Sequence, residues 1–441
     1  MAEVFDTVFQ GGQAFTPNGL IETDIGISDG RFVAFGNLRT ASTAATVDCR
    51  GLTLLPGVID TQVHFREPGL EHKEDLASGT LSAVAGGVTS VFEMPNTKPL
   101  TTTAERLTDK FTAARGRVWS DVAFYVGATA ENAAIVDRLE RLPGAAGLKI
   151  FMGSSTGELL IEDDYTLARV FAKGHRRVAI HAEDEPRLVE RYRLVDGGAP
   201  VTRHPEWRDV ETAVRATKRI LRIATEAHRP VHVLHVTTAD EMAILATHKH
   251  IASVEVTPQH LTLSAPEAYE RLGTLAQMNP PIREEHHRQA LWHAVVDGTV
   301  DIVGSDHAPH TLDEKAKPYP LSPSGMTGVQ TLVPLMLTHV AEGRLSLSRF
   351  VDLTSGAAQR LFGLANKGRI ARGYDADLTI VDPKARRRIE TKWIKAKAGW
   401  TPFDGFEATG WPIMTVIRGQ IVMRDDAILG NPIGRPLQFV T

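Results

Sequence analysis

An α/β fold, a (β/α)8 barrel of the TIM type carrying a small β-sandwich domain formed from both termini, is what this sequence predicts. Three observations carry that expectation. Apolar, β-branched runs recur at 54–60, 88–94, 121–127, 147–151, 177–181, 230–236, 252–257 and 300–305, and helix-compatible stretches such as Glu74 to Ala85 and Thr212 to Ala227 separate most of them. The flanks read instead as short strands and tight turns. Polar residues able to do chemistry collect where the apolar runs stop, which is where a barrel places its pocket. A doubly wound open sheet would show the same alternation, and strand spacing alone leaves both open.

A chain of 441 residues exceeds what one core usually organises, so one large unit with a smaller one is expected. The expected division is 1–53 and 366–441 for the two parts of the β-domain and 54–365 for the barrel. Hydrophobic content of 42% and a mean hydropathy of −0.13 describe an ordinary globular composition. Net charge is −4 and the basic residues form no long run, which argues against nucleic acid. The single cysteine, Cys49, excludes an intramolecular disulfide and suits a reducing compartment. The start, Met1-Ala2-Glu3-Val4-Phe5-Asp6, lacks a basic region followed by an apolar core, and no apolar segment is long enough to span a bilayer. A soluble, cytoplasmic protein is the expectation.

In chain order, strand-like segments begin at Asp6-Thr7-Val8-Phe9, Asp24-Ile25-Gly26-Ile27 and Arg31-Phe32-Val33-Ala34-Phe35, with Asn18-Gly19 and Asp29-Gly30 as hairpin turns. The texture returns at Ala376 to Val381 and Met414 to Ile417, where Arg418-Gly419-Gln420 reads as a turn into Ile421-Val422-Met423. Neither flank has material for a useful core alone, so the two are expected to join. Between them, the first run turns polar at Asp60, Gln62, His64 and Arg66 before Pro68-Gly69 stops it. Gln62 and His64 are two residues apart and share one face of an extended chain. The later runs end in Glu93 to Thr97, in His181-Ala182-Glu183, in His235, in Pro258-Gln259-His260, and in Ser305-Asp306-His307-Ala308-Pro309-His310.

Taken singly, each of these has an ordinary reading as a hydrogen-bonded core histidine or a loop-start cap. Their recurrence at equivalent strand ends, in His64, His181, His235 and Asp306, points to a divalent ion, and imidazole with carboxylate suits zinc. Lys149 sits inside the apolar run Gly147 to Met152. An edge lysine reaching outwards is the plain alternative. If buried, its ammonium loses its proton more readily and becomes a nucleophilic amine. Such an amine can add carbon dioxide, and the anionic carbamate can bridge two metals.

The stretch 56–69, with Met94-Pro95-Asn96-Thr97, Met278-Asn279-Pro280-Pro281-Ile282-Arg283 and Gly304 to Thr311, resembles the dihydroorotases of the amidohydrolase superfamily, and does so from about Val4 to Val422. Hydantoinases (dihydropyrimidinases) and allantoinases share the signature, but Arg66-Glu67-Pro68-Gly69 and Ser305 to His310 are more similar to dihydroorotase. The resemblance implies one or two zinc ions per subunit, with His64 and Asp306 on the first, His181 and His235 on the second, and a Lys149 carbamate between them. It also implies Asp306 as acid and base, a carboxylate grip of Arg66, Asn96 and His310, and ring contacts from Asn279, Pro323 and Gly325. Ring opening of dihydroorotate to N-carbamoyl-aspartate, in pyrimidine biosynthesis, is the implied reaction. This chain departs from the family in having Gln62 where a histidine is usual, and a glutamine carbonyl is the poorer zinc donor. It also reads Pro258-Gln259-His260-Leu261 where relatives have two adjacent histidines, so His260 keeps one of the pair. A homodimer is implied, and a non-catalytic barrel supporting aspartate transcarbamoylase is the alternative of a different class.

Overall fold

The computed structural model describes residues 4–154 and 159–440. Five strands come first: β1 (Phe5–Thr16), β2 (Gly19–Ser28), β3 (Arg31–Gly36), β4 (Thr43–Asp48) and β5 (Thr53–Pro56). Eight more follow, alternating with helices: β6 (Val58–Val63), β7 (Val88–Glu93), β8 (Asp121–Gly127), β9 (Ala145–Phe151), β10 (Val178–His181), β11 (Val231–Val233), β12 (Ala252–Val256) and β13 (Ile302–Val303). The chain closes with β14 (Leu378–Arg388), β15 (Glu407–Ile417), β16 (Gln420–Arg424) and β17 (Ala427–Ile428).

Strands β6 to β13 form one parallel sheet in chain order. Its two edges meet beyond the last strand, where Val63 bridges His307 and the Ser305 amide donates to Asp60 Oδ1 at 2.9 Å. The sheet is therefore a barrel, not an open doubly wound sheet. One face of each strand packs on the helices, through residues such as Val91, Val122, Phe124, Leu148 and Ile180 against Leu76, Leu167, Ile220 and Leu245. The other face fills the interior with Ile59, Phe92, Ala123, Ala179, Leu234 and Ile302, and Phe362 plugs one end. Each valine, leucine, isoleucine or phenylalanine side chain so removed from water contributes about 1.5–3 kcal/mol.

The remaining strands make the second sheet, in the order β17-β16-β15-β14-β5-β1-β2-β3 with β4 beside β1. The two ends of the chain meet where β14 runs antiparallel to β5, Leu378 opposite Pro56 and Val381 opposite Thr53. The apolar run at 54–60, read from sequence as one strand, is thus shared between the two sheets. Gly57 is the break. Its amide donates to Asp377 O at 3.0 Å, and a Cβ there would sit 2.4 Å from Thr89 Oγ1. The hairpins fall at the turns expected, with Ser28 opposite Arg31 across Asp29-Gly30 and Ile417 opposite Gln420 across Arg418-Gly419. Both turns need positive φ at their two central residues, and have it. Among the described residues, no helix is long and apolar enough to cross a membrane.

Candidate active site

The barrel strands stop early and the residues just beyond them turn sharply inward. Arg66, His235 and Asp306 all have positive φ (66°, 38° and 44°), a strained region for side-chain-bearing residues that is kept where the surroundings enforce it. Each lies two or three residues past the end of its strand. One cluster joins β6 to the segment after β13: Asp306 Oδ1 accepts from Gln62 Nε2 at 3.0 Å and lies 3.2 Å from His64 Nε2. His64 Nδ1 in turn lies 2.8 Å from Asn96 Oδ1.

A second cluster joins the ends of β10 and β11. His181 Nε2 donates to Glu183 Oε2 at 2.8 Å, and its Nδ1 lies 3.1 Å from His235 Nε2. Burial would raise the Glu183 carboxyl, but Arg208 beside it and His181 outweigh that and hold it well below its usual range. A carboxylate there places the His181 proton on Nε2, so Nδ1 accepts from His235 Nε2. His235 Nδ1 is then a bare lone pair, and the structure leaves that atom buried without a partner. Burial, then the neighbouring His181 and Lys149, keep His235 neutral by pulling its pKa well down.

Lys149 lies between the clusters, and its charge acts on His64, His181 and His235. It is completely buried on β9, with its Nζ lacking any hydrogen-bond partner and 4.3 Å from the centre of the Phe151 ring. Burial pulls it down to about 7, against Asp306 and Glu255, so a large share of it is neutral amine near neutral pH. Gln62 Oε1 is a third buried orphan. Among the described residues, no three His, Cys, Asp or Glu side chains converge as a ready metal cluster. The three orphaned atoms, a bare imidazole nitrogen, an amine and an amide carbonyl, are of kinds that can offer a lone pair to a divalent ion, as His64 and Asp306 can.

Beside this lies a cavity of about 480 Å³ lined by Arg66, Lys73, Asn96, Lys98, His310 and Pro323 among others. Arg66 is buried, and its Nε donates to Pro309 O at 3.1 Å. Burial lowers it to about 10, and no carboxylate pairs with it among the described residues. Lys73 Nζ lies 3.0 Å from His310 Nδ1, and His310 Nε2 lies 3.0 Å from Ser324 O and 3.2 Å from Arg66 Nη2. Burial and then Arg66 keep that ring neutral, its pKa down to about 3. A planar guanidinium, buried and unpaired, is a receptor for a carboxylate.

A second cavity of about 340 Å³ adjoins the first through Pro323 and is lined by Asn279, Arg208 and Ser324. Asn279 Oδ1 lies 3.1 Å from His204 Nε2. Gly325, at φ 143°, could carry no side chain: a Cβ would stand 2.3 Å from Ala308 O. His260 lines neither cavity, its ring tied between Thr257 Oγ1 at 2.8 Å and Pro280 O at 3.0 Å.

A model of the amidohydrolase family matches residues 53–422. The chain belongs to that family. The dihydroorotase of Methanosarcina mazei is 37% identical over 429 residues, covering 94% of this chain and 93% of the relative. The dihydroorotase of Halobacterium salinarum is 37% identical over 384 residues, covering 85% and 87%. Among solved structures, the L-hydantoinase (dihydropyrimidinase) from Arthrobacter aurescens matches with a TM-score of 0.94 at 28% identity, covering 98% of this chain and 100% of that one. The dihydropyrimidinase from Brevibacillus agri matches at 0.91 and 27%, covering 99% of each.

Several residues of this candidate site escape a reading of the sequence. Glu183 ends the same run as His181, so its proximity was available from period-two spacing, but Arg208 comes from a loop 25 residues on. His204, Lys73 and Lys315 lie in stretches without a motif-like pattern, and only folding brings them to the cavities.

Proposed function

We propose that this chain is a dihydroorotase, hydrolysing the cyclic amide of dihydroorotate reversibly to N-carbamoyl-aspartate in pyrimidine biosynthesis. The observation that carries the reading is the buried Arg66, without a carboxylate of its own, opening onto a cavity beside the His64–Asp306 pair. A buried guanidinium that can receive a carboxylate, beside groups able to handle a proton, supports that reading. Curated relatives at 31–37% identity carry the dihydroorotase name.

Zinc, one or two ions, would be held by His64, Asp306, His181, His235 and a carbamate on Lys149, with Gln62 Oε1 as a further oxygen donor. When bound, such an ion supplies Lewis-acid polarisation of a carbonyl and lowers the pKa of water. The protein's own groups do the rest. Arg66, Asn96 and His310 grip the substrate carboxylate, and Asn279 with the backbone at Pro323 and Gly325 holds the ring. Asp306 takes the proton that attacking water gives up and delivers it to the departing ring nitrogen, acting as base and then acid. The buried Gln62 amide and His64 hold its Oδ1 in place for that transfer.

The structural likeness to hydantoinases keeps one second reading, hydrolysis of a hydantoin, and an apolar ring substituent would have to fill the cavity in place of a carboxylate. Purified protein supplied with zinc and bicarbonate is expected to hydrolyse dihydroorotate faster than phenylhydantoin and to lose that activity to a chelator. Asp306→Asn is expected to keep substrate binding and lose at least about 100-fold in turnover. Near-normal turnover in that variant refutes the role of Asp306. Inertness on dihydroorotate, hydantoins and allantoin, with co-purification of a transcarbamoylase, would turn the reading to a scaffold. Sedimentation of the purified protein tests the homodimer.

A further inference from the structure

Lys315 is a buried amine that the reaction above does not use. It ends the short helix Leu312–Lys315 and no part of it reaches solvent. Its Nζ donates to three backbone carbonyls, those of Gln277 at 3.1 Å, Pro323 at 2.9 Å and Gly325 at 3.1 Å. No carboxylate pairs with it among the described residues, and burial alone pulls it down to about 7, so near neutral pH it is charged in one share and neutral in the rest. An ammonium out of water and without a counter-ion is expensive, and three neutral carbonyls return only part of that cost.

Its position shows what the charge faces. The carbonyls belong to the two stretches that bound the cavities, Gln277-Met278-Asn279 and Pro323-Ser324-Gly325, and the Gly325 amide donates back to Gln277 O at 2.9 Å. Next to them, Lys73 Nζ lies 3.0 Å from His310 Nδ1 and Arg66 Nη2 lies 3.2 Å from His310 Nε2. Around His310 the strongest charges are therefore three cations, Arg66, Lys73 and Lys315, against one carboxylate, Glu314, which Lys73 already engages at 3.0 Å. This end of the cavity carries more positive groups than the single carboxylate, Glu314, that stands beside His310.

We propose that Lys315 is a positioning and specificity-determining residue: it joins the two cavity-bounding stretches through their carbonyls and, when protonated, adds to the positive charge of Arg66 and Lys73 that selects a substrate bearing a carboxylate over its uncharged counterpart. The inference rests on the proposed ring hydrolysis for the identity of the substrate, but not for the preference itself.

The test compares two ligands that differ by one carboxylate, N-carbamoyl-aspartate and N-carbamoyl-β-alanine, by titration calorimetry on full-length protein. Wild type is expected to prefer the first. Lys315→Met and Lys315→Gln, the latter keeping hydrogen-bond donors near the carbonyls, are each expected to cut that preference about tenfold. Gln277→Leu removes the side-chain bonds to Ser322 and leaves the charge, so it is expected to weaken both ligands alike. In turnover, Lys315→Gln is expected to raise KM for dihydroorotate about tenfold with kcat within about threefold. A preference unchanged in both Lys315 variants, or a loss equal for both ligands as in Gln277→Leu, overturns the role. Wild type that prefers N-carbamoyl-aspartate yet never hydrolyses dihydroorotate would overturn the proposed function instead and leave Lys315 supported.

Discussion

Lys149 shows how a single side chain can be costly to the fold. Its amine is fully buried with no partner, and an unsatisfied buried polar group costs about 1–3 kcal/mol. Replacing it by methionine, similar in length and apolar, is expected to stabilise the metal-free protein in urea while abolishing turnover. The gain should depend on pH in a definite direction. In the folded protein the lysine titrates near 7, against an ordinary value of 10.5. Between those values the unfolded chain holds the proton more often, so wild-type stability rises with pH across that window. The advantage of Lys149→Met should therefore be largest below about pH 7 and shrink towards pH 10.5. Urea midpoints for both proteins from pH 6 to 10 measure it, and a gap that widens with pH refutes the burial account. From the sequence, Lys149 could have been an edge residue; its place on β9, between β8 and β10, decided otherwise.

Among the elements, the helix Val210–Glu226 connects local sequence rules to the site. Its apolar positions, Ala213, Val214, Ala216, Ile220, Leu221, Ile223 and Ala224, bury one face, and Asp209 caps its start by accepting from the Thr212 amide at 3.0 Å. The same aspartate pairs with Arg187, and Arg208, the residue just before it, reaches Glu183 behind His181. Asp209→Ala is expected to cost about 1–2 kcal/mol in urea and to lower activity by loosening Arg208. Unchanged stability would show that the cap is replaced by water. Hairpin turns and period-two or helical spacing are local, and those features of the elements were legible in advance. Strand length was not: β11 and β13 are two or three residues long because the chain leaves the barrel wall early, at His235 and Asp306, to aim side chains at the mouth.

At the scale of the molecule, barrel and terminal sheet are fastened by Lys367. Its Nζ reaches Asp121 on β8 at 2.6 Å and Asp375 and Asp377, ahead of β14, at 3.1 and 2.5 Å, while Arg418 from the turn after β15 also holds Asp121. Burial would raise the Asp121 carboxyl, but Lys367 and Arg418 keep it below its ordinary value. Removing the lysine leaves buried carboxylates facing one another. Lys367→Met is expected to cost about 3–5 kcal/mol, read as a fall in the guanidinium midpoint, and a loss below about 1 kcal/mol would mean that water reaches the seam.

The sequence by itself determined the alternation of strands and helices, the turns that pair the terminal strands, and the chemical types at the strand ends, because each depends on neighbours a few residues away. The motifs at 56–69 and 304–311 pointed to the candidate site for the same reason. Only the tertiary structure decided that the sheet closes into a barrel, that the run at 54–60 is divided at Gly57, and that Arg208, Lys73 and Lys315 stand behind residues far from them in the chain. Those contacts cross long loops, and their energies come from burial and the pairing of charges out of water, which a linear pattern does not encode.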